Sequence, residues 1–121
     1  LLKPVSPSKR ALYLIWNSPF MAVNQSTFIH HMMELCGFEN CAAGAQTRYP
    51  EISTEQIKKL NPELILLSSE PFPFAAKHQA EIQAQFPNAQ VILVDGESFS
   101  WYGSRLVHAA RYFKDLIAEI A

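Results

Sequence analysis

A chain of 121 residues, 49% hydrophobic and 17% charged, has room for one core and the composition of a globular domain, which excludes a disordered segment. Ten Lys and Arg against eleven Asp and Glu leave a net charge of -1, and no basic cluster exceeds two residues, which argues against a nucleic-acid partner. No apolar run approaches the roughly 18 residues that a membrane-crossing helix needs.

The start, LLKPVSPSKR, holds two Pro and two Ser and no small-residue cleavage site behind an apolar core, so residues 1–10 read as a linker or a cut end rather than a signal peptide. Residues 11–16 (ALYLIW) form a continuous apolar run of strand length, ended by the turn cluster Asn17-Ser18-Pro19. From Gln25 the spacing becomes helical. Phe28, Met32 and Leu35 share one stripe, Ile29, Met33 and Cys36 lie beside it, Asn24 or Ser26 is placed to cap the start, and Gly37 to stop the helix. Cys36 and Cys41 flank that glycine at a spacing that suits neither a zinc ribbon nor a thioredoxin-type pair, so either two unpaired thiols or a local disulfide is expected. Residues 38–52 show the least pattern, with a short strand expected at 41–43.

Residues 50–67 (PEISTEQIKKLNPELILL) write a helix, both of its signals and the strand after it. Ser53 is placed to cap a helix beginning at Thr54, Gln56 can reach back to complete a capping box, and Pro62 forbids continuation. Leu64, Ile65, Leu66 and Leu67 then run without polar alternation, as in a sheet covered on both faces, where parallel strands are joined by crossover helices. Residues 73–86 are rich in helix formers and close on Pro87-Asn88, 91–94 (VILV) form another buried strand, and 104–120 carry the stripe Leu106, Ala110, Phe113, Leu116 or Ile117, and Ile120 of a last helix. The alternation predicts an α/β fold: a three-layer, Rossmann-like domain whose mainly parallel sheet of about four strands is flanked by helices.

Right-handed crossovers put every strand's carboxyl end on one edge, and open sheets of this kind bind ligands outside that edge. The loops there are 17–21, 44–49, 68–74 and 95–103. They hold Phe20, Tyr49, Phe72, Phe74, Phe99, Trp101 and Tyr102, seven of the chain's fourteen aromatic residues. In the last loop, Trp101 and Tyr102 offer flat area while Glu97, Ser100 and Arg105 offer orienting hydrogen bonds, a combination suited to a large flat ligand. The structural use of the same residues is to plug the sheet's end, cap the last helix through Ser104 and pair Arg105 with Asp95.

Other chemistries find little support. Gly103-Ser104-Arg105 lacks the second glycine of a nucleophile elbow, and the four glycines make no phosphate-cradling loop. His30 and His31 are adjacent and diverge on a helix, and no His-x-x-x-His spacing occurs, so no metal site is expected. Glu55, in the first turn of the second helix, favours the helix dipole and is equally suited to pair with an arginine of a docking partner.

The stretches NSPF at 17–20, LCGFEN at 35–40, YPEISTE at 49–55 and NPELI at 61–65 occur in the order found in one family. On them the chain resembles the C-terminal lobe of ABC-importer solute-binding proteins of the helical-backbone type, which bind cobalamin, siderophores or haem. The resemblance covers nearly all of the chain and implies that residues 1–10 are a linker remnant, that 11–121 form the C-terminal lobe of a two-lobed protein whose other lobe is absent here, and that the protein works in the periplasm or tethered outside the cell. It implies a non-enzymatic role with no cofactor, the transported ligand being cobalamin or an iron chelate and the partner a membrane permease. Phe20 and Tyr49 fall where cobalamin-binding members place cleft aromatics, Tyr49 standing in for a Trp. Glu97 corresponds to their acidic residue after the last strand. Their cleft arginine falls near Trp101, with Arg105 one turn further on, and their permease-docking glutamate falls on Glu55. Two rivals remain from the residues alone. One is a flavodoxin-like enzyme domain using Asp95, Glu97 and Arg105, and the other is a module whose aromatic edge buries against another protein.

Overall fold

The computed structural model describes residues 9–96. Over that span the elements are β1 (Lys9–Leu14), β2 (Phe20–Met21), α1 (Phe28–Leu35), β3 (Phe38–Asn40), β4 (Glu51–Ile52), α2 (Thr54–Leu60), β5 (Leu64–Ser68), α3 (Ala76–Gln85) and β6 (Gln90–Val94). The main sheet has the order β3-β1-β5-β6 with every pairing parallel, and β2 and β4 form a separate antiparallel pair. Leu12 stands opposite Ile65 and Leu66 opposite Ile92.

The sheet is covered on both faces, which is why its central strands carry no polar alternation. Ala11, Tyr13, Leu64 and Leu66 pack with Met32, Met33 and Cys36 around α1, while Leu12, Leu14, Ile65 and Leu67 face Ile57 of α2 and Ile82 of α3 on the other side. All five residues of β5 are buried. The three expected layers and the four parallel strands are therefore present.

The local signals at α2 act as written: the Gln56 N–H donates to Ser53 Oγ at 3.1 Å and the Ser53 N–H to Gln56 Oε1 at 2.8 Å. Asn61 then turns left-handed at φ 48° ahead of the buried Pro62. Gly37, at φ 83°, closes α1 with its N–H on the Glu34 carbonyl at 2.9 Å.

Four expectations need correction. Thr27, not Asn24 or Ser26, caps α1, accepting from the His30 N–H at 3.1 Å; the Asn24 side chain is used instead to hold Ser26. The short strand expected at 41–43 lies at Phe38–Asn40, because that segment begins directly after the Gly37 turn. The third helix starts at Ala76 rather than 73, since the Phe72 N–H is bonded to the Ile15 carbonyl at 3.2 Å and the Phe74 N–H to the Phe72 carbonyl at 2.8 Å, a turn ahead of the helix. The first strand is shifted to Lys9–Leu14, and Trp16 leaves it to make an isolated bridge with Met21. The helix expected at 104–120 lies outside the described residues.

Cys36 and Cys41 are both free thiols. They belong to opposite faces of the sheet, Cys36 in the cluster under α1 and Cys41 against the cluster under α2 and α3. The local disulfide left open by their spacing is not formed.

Candidate functional site

At the carboxyl edge β1 runs out through Ile15 and Trp16 and doubles back, the Ile15 N–H donating to the Met21 carbonyl at 2.8 Å and the Met21 N–H to the Trp16 carbonyl at 3.3 Å. The returning strand then zips against the segment ahead of α2. Phe20 pairs with Ile52 and Met21 with Glu51, and the N–H groups of Ala22 and Asn24 donate to the carbonyls of Pro50 and Arg48 at 2.9 and 3.0 Å. This ladder carries Tyr49, distant in sequence, to the same edge as Trp16.

Between them lies a hollow of about 540 Å³ lined by Ile15, Trp16, Met21, Ile29, Tyr49, Glu70 and Pro71. Trp16 is 39% and Tyr49 45% exposed, two of the few large apolar side chains left open to solvent among the described residues. Trp16 is held from behind. Its ring meets Phe72 edge-on at 5.5 Å, and Phe72 in turn meets Phe74 at 4.8 Å and His78 at 5.0 Å. A rigid aromatic wall beside a mostly apolar hollow gains binding area with little loss of rotamer freedom.

Glu70 is the single charged side chain of that lining among the described residues. Its backbone is fixed by Ser68, which is 1% exposed: Ser68 Oγ donates to the Glu70 carbonyl at 2.6 Å and accepts from the Glu70 N–H at 3.3 Å, while the buried Tyr13 hydroxyl donates to Ser68 Oγ at 3.2 Å. Gly96 leaves the space that this arrangement fills. A Cβ there would collide with Ser68 Oγ and stand 2.8 Å from Glu70 Cγ.

Of the residues singled out from the sequence, Tyr49 lines the hollow. Phe20 lies on β2 beside it, half-buried against the core cluster under α2 and α3. Glu55 is exposed in the first turn of α2, and no ion pair reaches it among the described residues. Glu97, Trp101, Tyr102 and Arg105 lie outside the described residues. Trp16 and Glu70 were missed. Trp16 was readable as the last, amphipathic residue of an apolar run, and Glu70 as the acid in an edge loop otherwise rich in Pro and Phe.

Among the described residues no three His, Cys, Asp or Glu side chains cluster as a metal site, and no helix is long and apolar enough to cross a membrane. A smaller hollow of about 320 Å³ opens at the opposite edge, among Asn61, Pro62, Phe86 and Pro87. Phe86 is buried there, so no open aromatic face is presented.

A parallel α/β layer with an aromatic hollow outside its strand ends has the build of a ligand-holding lobe. The chain is 30% identical over 104 residues to the vitamin B12-binding protein of Pectobacterium carotovorum subsp. carotovorum, covering 86% of this chain and 37% of that protein. It is 29% identical over 102 residues to the vitamin B12-binding protein of Pectobacterium atrosepticum, covering 84% and 36%. No protein-family model matches it. Among solved structures, the periplasmic vitamin B12-binding protein of Vibrio cholerae superposes with a TM-score of 0.74 at 23% identity, over 92% of this chain and 44% of that one. The periplasmic haem-binding protein of the same organism gives 0.72 at 18%, over 94% and 49%. An ABC transporter substrate-binding protein from Listeria monocytogenes gives 0.71 at 20%, over 93% and 47%. The curated relatives are thus named as binding proteins, and the chain spans little more than a third of their length.

Proposed function

We propose that this chain is the C-terminal lobe of a two-lobed solute-binding protein of an ABC importer, working outside the cytoplasmic membrane and performing no chemistry. Its cargo is a bulky metal chelate: cobalamin, an iron-siderophore or haem. Any metal arrives with the cargo, and the protein needs no cofactor of its own. Delivery runs through a membrane permease, with Glu55 as the docking carboxylate.

The observation that carries this reading is the pairing of Trp16 and Tyr49, exposed across one apolar hollow at the carboxyl edge of a parallel sheet. Phe20, Glu97 and Arg105 join the proposed ligand contacts on the resemblance, Trp101 and Tyr102 join them as the aromatic pair of the last edge loop, and Phe20 stands on the strand that leads Met21 to the hollow. The relatives support a binding role because they are named as binding proteins.

Isothermal titration of the complete protein with cyanocobalamin, haemin and a ferric siderophore tests the proposal. Saturable binding of at least one is expected, weakened about five- to thirtyfold by Tyr49→Ala, since one stacked aromatic contributes ~1–2 kcal/mol. Failure of all three to bind would refute it.

A further inference from the structure

We propose that Glu70 is the selectivity residue of the hollow, and that it favours chelates whose edge presents amide or amine hydrogen-bond donors over chelates edged with carboxylates. This rests on the proposed function above and narrows its ligand class.

Three observations converge. Glu70 is the only charged group in an otherwise apolar lining among the described residues, so its field is not diluted by neighbouring polar groups of the hollow. No described cation pairs with it; the ion pairs lie instead between Arg10 and Glu39 and between Glu34 and the two histidines of α1. Among the described residues its carboxylate is thus not committed to the fold. Its placement is also built in three dimensions. Tyr13 and Ser68 hold its backbone from beneath, and a Cβ at position 96 would press on its stem. A surface acid present only for solubility needs no such seat.

A carboxylate is acceptor-only, so it strengthens a hydrogen bond from an N–H donor by its charge and repels a second carboxylate held near it beside a low-dielectric wall. Flat aromatic walls accept corrins and porphyrins alike. The corrin edge bears amides, whereas the haem edge bears two propionates, and Glu70 supplies the difference that Trp16 and Tyr49 cannot.

The test is a pair of titrations of the complete protein with cyanocobalamin and with haemin, in wild type and in Glu70→Gln. Glu70 is exposed, so the isosteric change leaves the fold intact, and a thermal melt confirms it. Wild type is expected to bind cyanocobalamin more tightly. Glu70→Gln is expected to weaken cyanocobalamin by about three- to tenfold and to tighten haemin, so that the ratio of the two dissociation constants falls at least tenfold, or ~1.4 kcal/mol. Binding of either ligand with a ratio unchanged by Glu70→Gln would overturn the inference while leaving the proposed function standing, as would a wild-type preference for haemin. Absence of binding to both, and to a ferric siderophore, would overturn both together.

Discussion

Asn40 Nδ2 lies 3.1 Å from His30 Nδ1 and donates to the Val23 carbonyl at 2.9 Å, while Asn40 Oδ1 accepts from the Ala42 N–H at 3.0 Å. The two backbone partners fix which way the amide points. Both amide hydrogens are then directed outward, so His30 Nδ1 is the acceptor and the ring proton lies on Nε2, toward Glu34 Oε2 at 3.5 Å. One buried side chain therefore joins the end of β3, the segment entering α1, and the start of the loop that carries Tyr49. Asn24 extends the joint by donating from Nδ2 to the Ala45 carbonyl at 3.1 Å.

Asn40→Ala strands the Val23 carbonyl and the Ala42 amide and is expected to cost about 2–3 kcal/mol in chemical denaturation. Asn40→Asp should be no better, because it sets a second oxygen against the Val23 carbonyl. Ligand affinity should fall in both variants although Asn40 does not line the hollow. Unchanged stability in Asn40→Ala would show that solvent replaces these bonds.

Phe20 and Tyr49 look alike in the sequence and differ in their expected losses. Phe20 is half-buried against the core, so Phe20→Ala should lower stability by about 1–3 kcal/mol. Tyr49 is 45% exposed, so Tyr49→Ala should change stability by no more than about 0.5 kcal/mol while weakening ligand binding. Urea titrations of both variants beside the ligand titration separate the two roles, and equal stability losses would contradict the assignment.

The parts of this fold that were legible in the sequence are those with short-range causes. Ser53 and Gln56 are three residues apart and meet in the capping box that their types announce. The apolar run at β5 announces a covered sheet because its residues alternate between two buried faces, whereas β6 at the sheet's edge is only partly buried and leaves Leu93 exposed. The end of β1 was not legible. Trp16 continues the apolar run, and only its bridge to Met21, together with Phe72 behind it, turns it out of the sheet. The two-residue strands β2 and β4 have no periodicity to read, and they exist because the ladder through Ala22 and Asn24 draws the two segments together. Glu70 depends on Tyr13 and Gly96, which no local window contains.

Gly96 is where that long-range dependence can be measured. Its N–H donates to Ser69 Oγ at 2.9 Å, and a Cβ would press on both Ser68 Oγ and the Glu70 stem. Gly96→Ala should cost about 1–3 kcal/mol. Adding Ser68→Ala removes one of the obstructing atoms, so the double variant should be less destabilised than the sum of the singles. Strict additivity would show that the Ser68 hydroxyl is not the obstacle.

Cys36 gives the chain a pH dependence whose sign is fixed by burial. Removal from water pushes its thiol from 9.0 up to about 12, and burial also raises the Cys41 thiol, with Arg10 opposing. A thiol held above its ordinary value keeps its proton in the folded state at a pH where the unfolded chain has lost it. The folded form is then the one that binds more protons, and stability falls as pH rises. The contribution of Cys36 is fully present below pH 9.0 and declines toward pH 12, by at most about 1.4 kcal/mol per pH unit. Urea midpoints measured from pH 8 to 11 should fall more steeply in the wild type than in Cys36→Ala, which removes the titrating group but retains a small apolar side chain. At pH 8 the half-buried Cys41 should react with a disulfide reagent well before Cys36, whose thiol is buried in the core and scarcely ionised. Equal labelling rates, or parallel pH profiles in the two proteins, would mean that the core around Met32, Met33 and Cys36 opens far more readily than its packing implies.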